Sequence, residues 1–109
     1  MRIWDIEPKK LCRNHLLGEH RELHAIWSIL TKNKKGYAKH PETLRWKNKL
    51  AALYLRHSRL VNEMKNRGYC HYSNLDRRFA SGSKKQTAFV DSPRKQAQIL
   101  RNKKCLCKI

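Results

Sequence analysis

The sequence predicts an all-α fold, a compact single domain of three helices with long connecting loops, over residues 1–109. Three observations predict it. Apolar residues recur at helical spacing in two long stretches, a capped helix start stands near the carboxyl end, and a chain of 109 residues has room for one modest core.

The first helix is expected over residues 8 to about 31. Pro8 suits a first-turn position, where its missing N–H costs nothing. Leu16, Leu23, Trp27 and Leu30 then mark one buried face. His15, Glu19 and Glu22 share a second face at the same spacing, and polar groups stacked on one side of a largely apolar helix suggest a cleft. Residues 32–40 are basic, contain Gly36 and one exposed-looking aromatic, Tyr37, and read as a loop whose Lys34 and Lys35 can lie along phosphates.

A second helix is expected from Pro41-Glu42 to Arg67, with Trp46, Leu50, Leu53, His57, Leu60, Val61 and Met64 facing inward and Gly68 as its stop. On its outer side Arg45, Lys49, Arg56 and Arg59 fall within about 80° of one another, at about 100° per residue. This stripe of one sign suits a phosphate backbone. Residues 69–90 read as an irregular connection, mobile over 81–85 and pinned by Tyr69, Tyr72, Phe79 and Phe89; so long a loop has a job. Asp91-Ser92-Pro93 opens a third helix, because serine caps a free backbone N–H and proline is tolerated at the first position. That helix reaches about Lys103. The three tryptophans, Trp4, Trp27 and Trp46, are expected in the core.

Charge narrows the function. Against 8 Asp and Glu stand 26 Lys and Arg, a formal +18, and such a surface repels itself unless a polyanion shares it. Nucleic acid is the obvious polyanion. No stretch approaches the roughly 18 consecutive apolar residues of a spanning helix, and the amino terminus lacks the apolar core of a signal peptide. The reading is therefore an intracellular, DNA-associated monomer with no membrane partner. Cys12, Cys70, Cys105 and Cys107 belong to a reducing compartment and reveal no pairing. His20 and His24 stand one helical turn apart, but not in the His-Glu-x-x-His order of zinc proteases, and Cys105-Leu106-Cys107 is not a Cys-x-x-Cys pair. Neither a metal nor an organic cofactor is expected.

Arg2-Ile3, His15-Leu16, Glu19 and Arg21-Glu22-Leu23 stand, without a gap, in the register of the phage-type pyrimidine-dimer DNA glycosylases, the endonuclease V family. Lys49-Leu50, Leu53, Leu55, Glu63 and Arg67-Gly68-Tyr69 are also similar, and the likeness fades beyond Tyr72. The resemblance implies a compact three-helix enzyme whose amino-terminal amine attacks C1′ of a damaged nucleotide, releases the base and forms a Schiff base that permits strand cleavage. It makes Glu22 the catalytic carboxylate, places Arg2 and Arg21 in the DNA cleft, and sets His15 beside the reacting sugar. Two departures stand out. A family arginine falls at Ala25, and the family's attacking threonine, exposed by methionine removal, is here Met1 itself. A bulky Arg2 should prevent that removal and leave the α-amine of Met1 in the nucleophile's place.

The residue types suit the chemistry. An α-amine with an ordinary pKa of about 7.7–8.0 is closer to its neutral, nucleophilic form at neutral pH than a lysine at about 10.4. As the glycosidic bond breaks, positive charge grows on the sugar and then on the iminium, where a fixed carboxylate such as Glu22 stabilises it and can shuttle protons. Phosphate contacts from Arg45, Lys49, Arg56, Arg59, Lys34 and Lys35 would hold lesion-bearing duplex DNA without reading its sequence. Two alternatives stay open at this point: a non-enzymatic basic DNA- or RNA-binding module, and a lyase for abasic sites or another lesion.

Overall fold

In the computed structural model, which describes residues 2–70, 73–103 and 105–108, the chain is helical and no strand occurs among the described residues. The expected first helix is divided. Pro8–Lys10 forms a 3₁₀ turn, Leu11 and Cys12 are extended, and α1 runs over Arg13–Lys32. It ends where Asn33 turns left-handed at φ 51°, a conformation that asparagine tolerates, and the Asn33 N–H reaches the Ile29 carbonyl.

The second expected helix is two. α2 covers Pro41–Leu44, α3 covers Leu50–Asn66, and Asn48 at φ 62° breaks the path between them. The break has a tertiary cause. Ser83 N–H donates to the Asn48 carbonyl at 3.0 Å, while the Ala51 and Ala52 N–H groups, orphans of the first turn of α3, donate to the carbonyls of Ser81 (2.7 Å) and Ser83 (3.0 Å). Residues 81–83, expected to be mobile, are therefore a backbone cap for α3. Gly82 makes the approach possible: it sits at φ 80°, and a Cβ there would collide with the Asn48 carbonyl.

The third expected helix holds. α4 spans Pro93–Asn102, and Ser92 Oγ accepts from the Lys95 N–H at 3.2 Å. α1 packs on α3, and the core between the elements gathers Leu16, Leu23, Ile26, Leu53, Leu60 and Leu100 with all three tryptophans. Ile3 joins them at 0 % exposure, so the residues before the first helix belong to the core. Of the aromatics expected to pin the long connection, Tyr69 packs on this core, Phe79 and Phe89 are largely exposed, and Tyr72 lies outside the described residues. No helix is long and apolar enough to cross a membrane, among the described residues.

Candidate active site

The extended segment over residues 2–7 threads between the helices and is held by side chains rather than by a sheet. Three consecutive backbone N–H groups each find a different helix. Ile3 donates to Glu42 Oε1 on α2 at 3.1 Å, Trp4 to Glu19 Oε1 on α1 at 3.0 Å, and Asp5 to Gln96 Oε1 on α4 at 2.7 Å. The Ile3 carbonyl accepts from Arg45 Nη2 at 2.9 Å. Segments near a chain end usually fray; residues 3–5 are fixed by the burial of Ile3 and Trp4 and by side-chain acceptors drawn from three helices.

The acceptors are themselves fixed. Arg56 meets Glu19 with two nitrogens, Nε at 2.7 Å from Oε2 and Nη2 at 3.0 Å from Oε1, a bidentate pair in which both side chains are buried. Burial raises the Glu19 carboxyl above the ordinary range, and the Arg56 guanidinium opposes that rise. Arg45 binds Glu42 and Asp5 and lies 4.7 Å from the centre of the Trp46 ring and 5.8 Å from that of Phe89. Gln96 closes the circuit, donating to Asp5 Oδ2 at 2.8 Å.

These pairs correct the expected basic stripe. Arg45 and Arg56, each 7 % exposed, are turned inward and paired with acids rather than forming an outer stripe. Lys49 no longer shares a helix with Arg45, and its Nζ is bonded to Gln86 Oε1 at 2.7 Å. Of the stripe only Arg59 is exposed, at the rim of a 380 Å³ cavity with Asp5, Lys84 and Phe89. Lys34 and Lys35 are exposed on their loop and line a second cavity, of 490 Å³, with Lys47 and Asn48. Tyr37 is 70 % exposed there, as expected of a loop aromatic.

Met1 lies outside the described residues. Arg2, the residue bonded to it, pairs with Asp91 at 3.0 Å and lies 5.0 Å from the centre of the Trp4 ring. The other edge of this group is His15, whose ring meets Trp4 edge-on at 5.6 Å. Burial and the nearby Lys103 ammonium hold the His15 imidazole below its ordinary range, so the ring is neutral at neutral pH. Glu22 is half-buried on α1, three residues beyond Glu19 on the same face, and no ion pair among the described residues engages it. Arg21 is exposed on the same turn. The helix thus brings Glu19, which grips the amino-terminal segment, within about 4.5 Å of axial rise of Glu22.

Sequence reasoning missed Glu42, Gln96 and Asp91 as holders of the amino terminus. Glu42 and Arg45 stand at i and i+3, a signal that was there to read. Gln96 and Asp91 are separated from their partners by about 90 positions, and no local pattern could reveal them.

Two clusters have the composition of metal sites. Cys12, His15, Cys105 and Cys107 place one ligand atom each within 4.8 Å of one another, and so do His20, His24 and His57. In the first, burial pushes the Cys107 thiol up to about 12, whereas at Cys12 the same effect is outweighed by hydrogen bonds from the His15 backbone and the Cys107 side chain. In the second, His24 Nε2 and His57 Nε2 are 3.1 Å apart across the α1–α3 contact.

A small helical domain of formal charge +18, with residues 3–5 clamped beside an acid-bearing helix, has the surface charge of proteins that bind nucleic acid. A family model described as pyrimidine dimer DNA glycosylase matches residues 1–77, and the chain belongs to that family of DNA repair glycosylases. No curated protein and no solved structure matches the chain.

Proposed function

We propose that the protein is a bifunctional glycosylase and abasic-site lyase for pyrimidine dimers in duplex DNA, acting as a monomer inside the cell with the α-amine of Met1 as nucleophile and Glu22 as the catalytic carboxylate. The observation that carries this reading is the clamp on residues 3–5, each N–H held by a side chain from a separate helix. An enzyme whose nucleophile is its own chain terminus must remove the freedom that termini normally keep, because misplacement by about 1 Å can cost 10²-fold in rate.

In the reaction the amine lone pair attacks C1′ and the electrons of the glycosidic bond leave with the base, which remains joined to its neighbour through the dimer. Loss of the amine proton and opening of the sugar ring give an iminium between the α-nitrogen and C1′. Removal of a C2′ proton then expels the 3′ phosphate, and water hydrolyses the remaining iminium to free the amine. Glu22 stabilises the cationic stages and carries protons between them. Arg2 and Arg21 line the cleft, His15 stands beside the sugar, and Lys34, Lys35 and Arg59 contact phosphates. The kink or extrusion that exposes C1′ costs a few kcal/mol, less at a damaged site.

Borohydride trapping on dimer-bearing and abasic duplexes tests the reading. A covalent adduct mapping to Met1, lost when its amine is acetylated and reduced by about 10²–10⁴ in rate by Glu22→Gln, is the expected result. Salt-sensitive binding with no adduct on any damaged duplex would instead identify a non-enzymatic DNA-binding member of the family.

A further inference from the structure

We infer that Cys12, His15, Cys105 and Cys107 form a closed tetrahedral site for a zinc-class cation that staples the carboxyl-terminal tail to the start of α1. The ligand set is soft and complete, three sulfurs and one imidazole, as in structural zinc sites. His15 Nδ1 lies 3.1 Å from Cys12 Sγ and 3.2 Å from Cys107 Sγ. Zinc bonds of about 2.3 Å to sulfur and about 2.0 Å to nitrogen require ligand atoms about 3.5–3.8 Å apart. Seating the ion therefore asks these two pairs to open slightly, within a set whose four ligand atoms all lie within 4.8 Å of one another.

The surroundings suit the ion. The Cys12 N–H donates to Cys107 Sγ at 3.1 Å, the kind of bond that orients and stabilises a metal-bound thiolate. On binding, the three thiols release their protons, and three thiolates with one neutral imidazole leave a dipositive ion one negative charge in excess. Arg13 and Lys103, which line the adjacent cavity, offset that charge. All four ligands are half-buried, and all four cysteines of the chain are free of disulfides. Cys105 and Cys107 lie beyond the family match, which ends at residue 77, so half of the set is outside the matched region.

Among its described residues the tail is otherwise lightly held. Lys108 N–H reaches the Lys10 carbonyl at 2.7 Å, but Leu106 is 88 % exposed and contributes no core packing. A metal here supplies the anchor that apolar burial does not. It also fixes the tilt of the His15 ring against Trp4.

The full chain, purified under reducing conditions and reconstituted with zinc or cobalt, tests this. Native mass spectrometry should show one metal per chain, and the cobalt form should show a strong thiolate-to-cobalt charge-transfer band with tetrahedral d–d bands. Alkylation of the metal-loaded protein should modify Cys70, which is exposed, and spare Cys12, Cys105 and Cys107 until chelator is added. The double variant Cys105→Ser, Cys107→Ser should lose the band, and Cys70→Ser should keep it. Absence of bound metal, a cobalt spectrum without sulfur charge transfer, alkylation of all four cysteines in the loaded protein, or a chain mass showing a disulfide would each overturn the assignment. The alkylation map and the cobalt spectrum need no variant, so they decide the matter even where the double variant fails to fold.

Discussion

The two ends of the chain are anchored by opposite means. The amino-terminal segment is held by groups the fold supplies in excess: Ile3 and Trp4 are buried, and Glu42, Glu19 and Gln96 accept three successive N–H bonds from it. Among the described residues of the carboxyl-terminal tail Leu106 is exposed and Cys107 only partly buried, and the tail is tied back through Lys108, Cys107 and Cys105. One end is part of the core; the other is attached to it. An end that must present a reactive atom has to be rigid at sub-ångström scale, whereas an end that only closes the structure can be secured at a single point.

The largest effect should come from removing the acceptor at the heart of the first anchor. Glu19→Ala leaves Arg56 buried without its partner and should cost about 3–5 kcal/mol of stability, measured by denaturant unfolding. An unchanged midpoint would mean that the amino-terminal segment is not built into the core. Gln96→Ala strands the Asp5 N–H and should cost about 1–3 kcal/mol, with trapping of Met1 slowed in the still-folded protein. Removing metal from the second anchor should raise hydrogen exchange over residues 105–108 and leave residues 3–5 protected; equal deprotection at both ends would erase the distinction. The smallest change in stability, within about 0.5 kcal/mol, should follow Lys34→Ala with Lys35→Ala. Its signature is in DNA binding, where the salt dependence should become shallower by about 0.9 for each phosphate that is no longer neutralised.

Much of this was legible in the residue order. The helix over Pro93–Asn102 could be read from Ser92-Pro93, because capping is a local interaction. The helical runs of α1 and α3 follow from periodicity, and the buried tryptophans from their place in it. The break at Asn48 was not legible, since Lys47-Asn48-Lys49 contains neither proline nor glycine; what stops the helix is a strap returning from residues 81–83. The outer stripe failed for a related reason. Helical phase says which residues share a face, but not what packs on that face, and Arg56 finds Glu19 across 37 positions. The family match over residues 1–77 takes in the gap-free run of Arg2-Ile3, His15-Leu16 and Arg21-Glu22-Leu23 on which the resemblance rests. The cysteine cluster stayed hidden because its halves are the two extremes of the sequence, 95 residues apart at Cys12 and Cys107.

The three-helix clamp on residues 3–5 carries a consequence for how the protein comes apart. Since each acceptor sits on a different helix, no one helix can detach and leave the clamp whole. Placement of residues 3–5 is thus coupled to the docking of all three helices. The amides of Ile3, Trp4 and Asp5 should exchange with the slowest class in the molecule, by complete unfolding rather than by local opening. A loss of stability at a site remote from the clamp should then lower the proposed activity only in proportion to the fraction unfolded, whereas a change in the clamp itself, such as Gln96→Ala, should slow the folded protein as well.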